Sequence, residues 1–377
     1  TANLLETLAQ HPTAEVTMVS YNDGQSHCRC GPCMVLNDAN ESPQGAILTF
    51  VNEVAEEVEK HFPDVLICTA GYNETLAAPT QIRARHNVSV RIGNAPHEWR
   101  YPLTSFTTSD APLSRHYREE IVKWSKICKT LQVWDYSANH SHFLAPMPNM
   151  HTFGPDMRFY ADHNVKGIFM QGVPRIPGGE RTPMRVWVMA KLFWDPDRDV
   201  HELVQDYIWG SWGEVAPQMA EYARLLAAQA DDRPLDPTTG SGNQGCRYGM
   251  DAPFLTWGFV EEATRLFDEA EAAAQSEKMR QRVERARLPI MYVKLMRGPD
   301  FTGDTYGALI DQFQSVAGRE GITWLGMHSG SSKVDTRMAE WRRQWEDYQQ
   351  VRDIKKSEYE IVALSNEWRF APDPSGQ

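Results

Sequence analysis

Short apolar runs alternate with amphipathic segments over the first half of the chain. Five of these runs are rich in β-branched residues and end at turn-forming residues, which is typical of strands buried on both faces of a parallel sheet. They are Val16 to Asp23, Val65 to Glu74, Val88 to Asn94, Leu131 to Tyr136 and Val165 to Gly172. Because strands and helical segments alternate, the pattern predicts parallel strands joined by right-handed crossovers.

The segments between these strands have helical spacing. Residues 46 to 60 place aliphatic side chains on one stripe and acidic side chains opposite, which predicts an amphipathic helix. Similar patterns predict helices at 2 to 9, 115 to 130 and 155 to 163. A closed (β/α)8 barrel needs eight strands. We therefore expect an α/β fold with a TIM-barrel-like domain that is incomplete at its N-terminal side, or an open sheet.

From Arg181 onward the pattern is helical throughout. The sequence predicts two units: a barrel-like catalytic domain over residues 1 to 232 and an α-helical domain over residues 246 to 377. A loop rich in Pro, Gly, Thr and Ser at 233 to 245 separates them. The predicted helices of this half lie at 184–193, 200–209, 214–230, 258–274, 276–296, 305–317, 335–351 and 354–364.

Charge and composition narrow the class of partner. The net charge of −12 and the pI near 5.5 argue against a nucleic-acid partner, because proteins that bind phosphate backbones gather Lys and Arg on one face. No apolar run approaches the ~20 residues of a membrane span, and the N-terminus lacks the regions of a signal peptide. We expect a soluble protein or a mature fragment of one, and the sequence leaves its oligomeric state open.

Polar and aromatic residues follow the predicted strands. In parallel sheets under helices, ligands bind at the carboxyl ends of the strands. Carboxylates and amides there bind hydroxyl groups, and flat aromatic rings pack on the C–H faces of sugars, so this mixture predicts a carbohydrate site. The predicted substrate-binding residues are Tyr21, Asn22, Tyr72, Asn73, Trp99, Trp134, Tyr136, His140 and Gln171.

Cleaving a glycosidic bond needs a proton donor and a second group that stabilises or attacks the oxocarbenium-like centre. Asp23, Asp135 and Glu98 are the predicted catalytic acids, and Glu74 and Glu180 are further candidates. Structural alternatives stay open for each of them. Asp23 also fits a turn cap, Asp135 a buried structural hydrogen bond, and the three glutamates pairing with arginine or helix capping.

Three cysteines cluster directly after the first strand. Cys28, Cys30 and Cys33 form a C-x-C-x2-C group beside His27. The spacing fits a metal site, a disulfide that holds the loop, or reduced thiols in a packed loop. We expect no metal or other cofactor in the chemistry. The chain also has no G-x-S-x-G elbow, Walker loop, strand-linked G-x-G-x-x-G or H-E-x-x-H, so lipase, nucleotide hydrolase and zincin activities are excluded.

An ordered series of motifs resembles the family called domain of unknown function 4838, over roughly residues 15 to 225. That group includes endo-β-N-acetylglucosaminidases of glycoside hydrolase family 163, which act on N-glycans. The motifs are Asn22-Asp23-Gly24, Cys28-x-Cys30-x2-Cys33, Phe50-Val51-Asn52-x-Val54-Ala55, Phe62-Pro63-Asp64, Tyr72, Val133-Trp134-Asp135-Tyr136, Pro146-x-Pro148-Asn149, Gly167-Ile168-Phe169-Met170-Gln171-Gly172 and Ala190-Lys191-Leu192-x-Trp194-Asp195-Pro196.

The resemblance implies a (β/α)8-like domain that hydrolyses glycans, with the 2-acetamido group of the substrate as nucleophile. One carboxylate then donates the proton and a second orients the acetamido group. Asp23 and Asp135 are the matched acids, with Glu98 next. The expected partner is an oligosaccharide or a glycoprotein glycan, and the expected location is secreted or periplasmic.

Two other functions remain. One is a carbohydrate-binding protein on a barrel scaffold, in which the aromatic residues bind sugar and the carboxylates are structural. The other is a hydrolase of sugars that carry uronic acids, for which Arg91, Arg100 and Arg175 are the candidate cations.

Overall fold

The structure, a computed structural model, describes residues 1–22, 27–93, 112–173, 179–231, 247–327 and 332–358. Five parallel strands form one sheet in the sequential order β1-β2-β3-β4-β5. The five predicted strands are confirmed, with shorter bounds for most of them. The strands are β1 Val16–Met18, β2 Leu66–Gly71, β3 Val88–Gly93, β4 Thr130–Tyr136 and β5 Val165–Gln171.

Among the described residues, the sequential strand order places the connecting helices on one face of the sheet. When every crossover is right-handed and moves one strand in the same direction, all the connecting helices lie on the same side. Within the described ranges, β1 pairs only with β2 and β5 pairs only with β4. The sheet is therefore a half-barrel, in agreement with the expected incomplete barrel, because closure would require the first and last strands to pair.

The two faces of the sheet differ in burial. Side chains alternate between the faces along each strand. Ile67, Val90 and Val133 point to the helix-covered face and are fully buried. Met18 and Phe169 belong to the opposite, open face and remain 46% and 49% exposed. The open face is the concave interior that a complete barrel would close.

The helices mostly follow the predicted positions. Most of the predicted apolar stripe of α3 (Gln44–Glu59) is buried, since Val51, Val54 and Val58 are almost inaccessible, but Phe50 is 55% exposed. The bounds are α1 Ala2–Gln10, α2 Gly31–Ala39, α3 Gln44–Glu59, α4 Pro112–Ile127, α5 Met150–Asp162, α6 Thr182–Trp194, α7 Val200–Trp212, α8 Ala216–Asp231, α9 Trp257–Ala273, α10 Glu277–Arg297, α11 Pro299–Thr302, α12 Tyr306–Arg319 and α13 Val334–Glu358.

Some helix bounds differ from the prediction. α5 begins at Met150 rather than at Pro155, so the proline lies inside the helix. The predicted helices at 335–351 and 354–364 are continuous in α13 as far as Glu358. The short helices α2 and α11 were not predicted. Neither is long enough to show helical periodicity clearly: α2 has nine residues and α11 has four.

The helical half continues the core of the sheet domain. One apolar cluster includes both Leu8 and Trp341, and the rings of Tyr222 on α8 and Phe267 on α9 lie 4.8 Å apart. The division into two units stays a prediction, and the predicted boundary loop at 233–245 lies outside the described residues. In the described part of the chain, no helix is long and apolar enough to cross a membrane.

A half-buried histidine connects the loop after β4 to α10. The Nδ1 atom of His142 lies 2.7 Å from the hydroxyl oxygen of Tyr292. Burial, together with the charge of Arg337, lowers the pKa of His142 to about 4. The folded protein therefore holds this imidazole neutral at a pH where an unfolded chain would protonate it.

We expect the stability of the protein to fall as the pH decreases from about 6.5 to about 4, because the unfolded chain binds a proton at His142 over that interval and the folded chain does not. The loss reaches at most about 3 kcal/mol below the lower pKa. Urea denaturation at a series of pH values measures it. In His142→Phe this part of the pH dependence should disappear, and an unchanged pH dependence in that variant would contradict the assignment.

Candidate functional site

A cleft lies on the open face of the sheet at the carboxyl ends of the strands. It encloses a cavity of about 340 Å³. A second cavity, of about 190 Å³, lies among α6, α7, α8 and α10 and is lined mainly by apolar side chains. Ligands of parallel sheets bind at the strand ends, so the cleft is the candidate site. Its lining residues are Met18, Ser20, Tyr21, Ala70, Tyr72, Arg91, Gly93, Trp134 and Tyr136.

Two stacked tyrosines form one wall of the cleft. The rings of Tyr21, after β1, and Tyr72, after β2, lie 5.4 Å apart and are inclined by 13°. The hydroxyl of Tyr21 forms a short hydrogen bond with the hydroxyl of Thr75 and donates to the carbonyl of Tyr72 at 3.3 Å. These contacts fix both rings, which leaves a rigid flat surface of the kind on which sugar rings pack.

Trp134, Tyr136 and their neighbours form the other wall. The indole Nε1 of Trp134 donates to Oε1 of Gln171 at 2.8 Å, and its ring meets Phe169 edge-on at 4.6 Å. Behind this wall, the ring of His140 lies edge-on to Tyr136 at 5.1 Å. The predicted pair Trp134 and Gln171 is thus brought together by the pairing of β4 with β5.

Arg91 supplies the positive charge of the cleft. Its Nε and Nη2 atoms donate to Oε1 of Gln132 at 3.1 and 2.8 Å, and Nη1 lies 3.9 Å from Sδ of Met18. Within the described ranges, no carboxylate oxygen lies within 4 Å of this guanidinium. A guanidinium held by a neutral amide keeps its full charge for a ligand, so the cleft can accept a carboxylate or another anionic group.

Asp135 faces away from the cleft. Its register neighbour is Met170, and both side chains belong to the helix-covered face. The carboxylate is buried, accepts a hydrogen bond from the hydroxyl of Tyr160 at 2.8 Å, and accepts another from the backbone N–H of Tyr136 at 2.7 Å. Burial and this carboxylate raise the pKa of Tyr160 well above its usual value, which keeps the phenol a donor. The geometry therefore favours a structural role, because the side chains of one strand alternate and Trp134 and Tyr136 take the open face.

Glu180 is also remote from the cleft. Its carboxylate is buried between two guanidiniums: Arg185 Nη2 donates to Oε2 at 2.6 Å, and Nε of Arg181 forms a shorter bond to Oε1. Arg185 donates in addition to the side chain of Asn149. This arrangement is a structural ion-pair network that links the start of α6 to the loop before α5.

The other predicted residues are distributed as follows. Glu74 lies beside the segment after β1, with Oε2 at 3.4 Å from Nδ1 of His27 and 3.8 Å from Nη2 of Arg29. Asn22 and Asn73 are exposed, and Asn73 adopts the left-handed backbone conformation (φ 51°) that starts a turn. Three predicted residues, Asp23, Glu98 and Trp99, lie outside the described residues, so their roles stay predictions.

Some of the lining was not predicted. Met18, Ser20 and Gly93 line the cleft but were not among the predicted residues, and Arg91 had been named only for the uronic-acid alternative. One signal was available for the arginine. A charged residue inside an apolar strand must point to a face that is not fully covered, since burying an unpaired charge is very costly.

The sequence model described as Domain of unknown function (DUF4838) matches residues 1–224. No curated protein matches the chain in a sequence comparison. A GH138 enzyme targeting pectin rhamnogalacturonan II matches in structure with a TM-score of 0.39 and 9% sequence identity, and the match covers 82% of this chain and 65% of that one. The chain therefore spans less than two thirds of that protein.

Proposed function

The chain belongs to the DUF4838 family, and we propose that it is a glycoside hydrolase whose oligosaccharide substrate lies in the cleft on the open face of the sheet. One observation carries the proposal: three strand ends place the rings of Tyr21, Tyr72 and Trp134 around one cavity. Rigid aromatic walls beside hydrogen-bonding groups suit a ligand that is apolar on its ring faces and polar at its edge, as a sugar is.

We assign the acid chemistry to the loops that continue from the cleft. Asp23 follows Tyr21 by two positions, and Glu98 follows Gly93 by five. In this scheme one acid protonates the leaving oxygen and the second acts on the other side of the anomeric carbon. Asp135 is the third acid of the sequence prediction, and its burial against Tyr160 makes it the weakest of the three.

The resemblance to glycoside hydrolase family 163 leads us to propose β-linked N-acetylglucosamine glycans as the first substrate class. The 2-acetamido oxygen then attacks the anomeric carbon, and the second acid orients the acetamido N–H. Attack from within the substrate removes the need for a protein nucleophile. A secreted or periplasmic location, where such glycans occur, is part of the same proposal.

Arg91 favours a second substrate class. Its guanidinium donates to a neutral amide in the cleft, which suits a glycan that carries a uronic acid. A carboxylate and a guanidinium form charge-assisted hydrogen bonds, which are about twice as strong as neutral ones. In this alternative the substrate is an acidic oligosaccharide, and its sugar rings pack on the same aromatic walls of the cleft.

A panel of oligosaccharides tests the proposal. The purified chain is incubated with N-glycans, with chitin-type oligosaccharides and with uronic-acid oligosaccharides, and products are followed by mass spectrometry. Turnover of any of them supports a hydrolase and identifies the class. Binding measured by calorimetry without any turnover would support the carbohydrate-binding alternative. If the chain neither binds nor cleaves any of these oligosaccharides, the proposal of a glycan site is contradicted.

Replacing Arg91 separates the two substrate classes. If the substrate carries a uronic acid, Arg91→Met should raise KM about 10-fold or more, because a hydrogen bond to a charged group contributes roughly 1.5 to 3 kcal/mol. Turnover of neutral glycans should stay close to that of the parent. Lys129→Met, which removes an exposed charge before β4, is the matched control. An equal loss on acidic and neutral glycans would show that Arg91 supports the cleft rather than recognising a carboxylate.

A further inference from the structure

Three thiols converge at the start of α2. The sulfur atoms of Cys28, Cys30 and Cys33 all lie within 4.8 Å of one another, and those of Cys28 and Cys30 are 3.5 Å apart. Cys28 and Cys30 are exposed, and Cys33 is half-buried. The cluster lies between the cleft residue Tyr21 and the body of α2, and the proposed hydrolysis makes no use of it.

The sulfur separations match a shared ion better than a disulfide. A disulfide requires about 2.05 Å between the two sulfurs, and all three thiols are free. Zinc binds thiolates at about 2.3 Å in a tetrahedron. Two such thiolates on one ion therefore lie about 3.8 Å apart by simple trigonometry, which falls within the range of the cluster.

The local backbone prepares the site for thiolates. Cys30 is the N-cap residue of α2 and Cys33 lies in its first turn, so the free N–H groups of the helix end point toward the cluster.

We propose that Cys28, Cys30 and Cys33 bind one Zn²⁺ ion as three thiolates, with water as the fourth ligand. The imidazole of His27 adjoins the cluster in sequence, but its Nδ1 atom lies 3.4 Å from the Glu74 carboxylate. Each thiol that enters the site loses its proton, so binding releases up to three protons to solvent. The negative charges of the three thiolates balance the positive charge of the Zn²⁺ ion.

The site would fasten the segment after β1 to the end of β2. Arg29 lies between two of the ligands, and its guanidinium is 3.8 Å from the Glu74 carboxylate after β2. Zinc at the three thiolates would hold residues 27–33 as one unit against that carboxylate. A metal that binds only the folded chain stabilises it by mass action, so zinc should raise the stability of the folded chain.

The test uses the reduced full chain. After reduction with a phosphine, the protein is titrated with Zn²⁺ in competition with a chromogenic chelator, and bound zinc is counted by elemental analysis. We expect one ion per chain. With Co²⁺ in place of zinc, the intensity of the sulfur-to-cobalt absorption should correspond to three thiolates. Adding a strong chelator should lower the melting temperature of the zinc-loaded chain.

Cysteine variants assign the ligands. The single variants Cys28→Ser, Cys30→Ser and Cys33→Ser should each weaken zinc binding at least 10-fold, and the triple variant should bind none and lose the chelator effect on melting. Cys128→Ala, which changes a buried thiol just before β4, is the matched control and should bind zinc like the parent. Zinc retained by the triple variant, or fewer than three thiolates around Co²⁺, would overturn the proposal.

A redox dithiol gives a different result. Cys30-Gly31-Pro32-Cys33 at a helix N-terminus also has the spacing of a reactive dithiol. If the cluster works in that way, the reduced chain takes up no zinc. Instead, Cys30 attacks an added small disulfide, which releases one thiol and leaves a mixed disulfide on Cys30. Cys33 then attacks the mixed disulfide, which releases the second thiol and leaves a Cys30–Cys33 disulfide. That outcome overturns the metal proposal and leaves the glycan cleft untouched.

Discussion

Asp23→Asn is expected to lower kcat on the oligosaccharide substrate by about 100-fold or more, because general acid or base catalysis contributes about 10² to 10⁴ to the rate and an amide transfers no proton at this pH. KM should change little, since the sugar rings still pack on Tyr21, Tyr72 and Trp134. Steady-state kinetics together with thermal unfolding measures both properties. A folded variant with the kcat of the parent would remove Asp23 from the mechanism.

Asp135→Asn is the matched comparison, because it makes the same chemical change at an acid on the helix-covered face of the sheet. The amide keeps one oxygen for the Tyr136 N–H but brings an NH2 group towards the hydroxyl of Tyr160. We expect a loss of about 1 to 3 kcal/mol in the free energy of unfolding, with the kcat of the folded fraction close to that of the parent. A fall in kcat without a fall in stability would return Asp135 to the catalytic pair.

Glu180→Gln is expected to destabilise the protein by about 3 to 5 kcal/mol, because it leaves two buried guanidiniums without their counter-charge. Arg185 is inaccessible and donates to Glu180 through both Nε and Nη2. Burial lowers the pKa of Arg185, and the carboxylate of Glu180 acts in the opposite direction by favouring the charged guanidinium. Urea denaturation measures the change in the free energy of unfolding.

An exposed ion pair of the chain serves as a control, and Arg185 serves as the second site of a double-mutant cycle with Glu180. Glu57→Gln breaks the exposed contact with Lys60, and its denaturation midpoint should move very little. In the double variant Glu180→Gln with Arg185→Met, the loss in the free energy of unfolding should be smaller than the sum of the two single losses. The reason is that the second substitution removes the buried guanidinium that the first one leaves unpaired. Additive losses, or a Glu180 variant as stable as the parent, would contradict a buried network and reopen a role in catalysis.

The half-barrel explains why the cleft exists at all. A closed barrel of this class fills its interior with side chains from all of its strands. Here the described strands leave the concave face open, and the side chains that a ring would bury, among them Arg91, Gln132 and Trp134, line a surface. Because the concave face is open, a ligand can reach the cleft from the strand ends and also across the concave face of the sheet.

The sequence by itself determined the strands and most of the helices. Apolar runs and helical stripes are local patterns, and burial of one face follows directly from them, as it does for α3. It also determined that Tyr21, Tyr72 and Trp134 lie at or shortly after the carboxyl ends of β1, β2 and β4, and the carboxyl ends of parallel strands lie at one edge of the sheet.

Only the tertiary structure decided which strand-end residues share the cleft. Asp135 and Trp134 are adjacent in sequence, yet the alternation of side chains sends one under the helices and the other into the cleft, and the register that fixes this choice comes from pairing with β3 and β5. The burial of Glu180 likewise depends on Arg185 and Asn149 meeting through the packing of α6 near α5. Contacts of this kind join distant segments, so no local pattern encodes them.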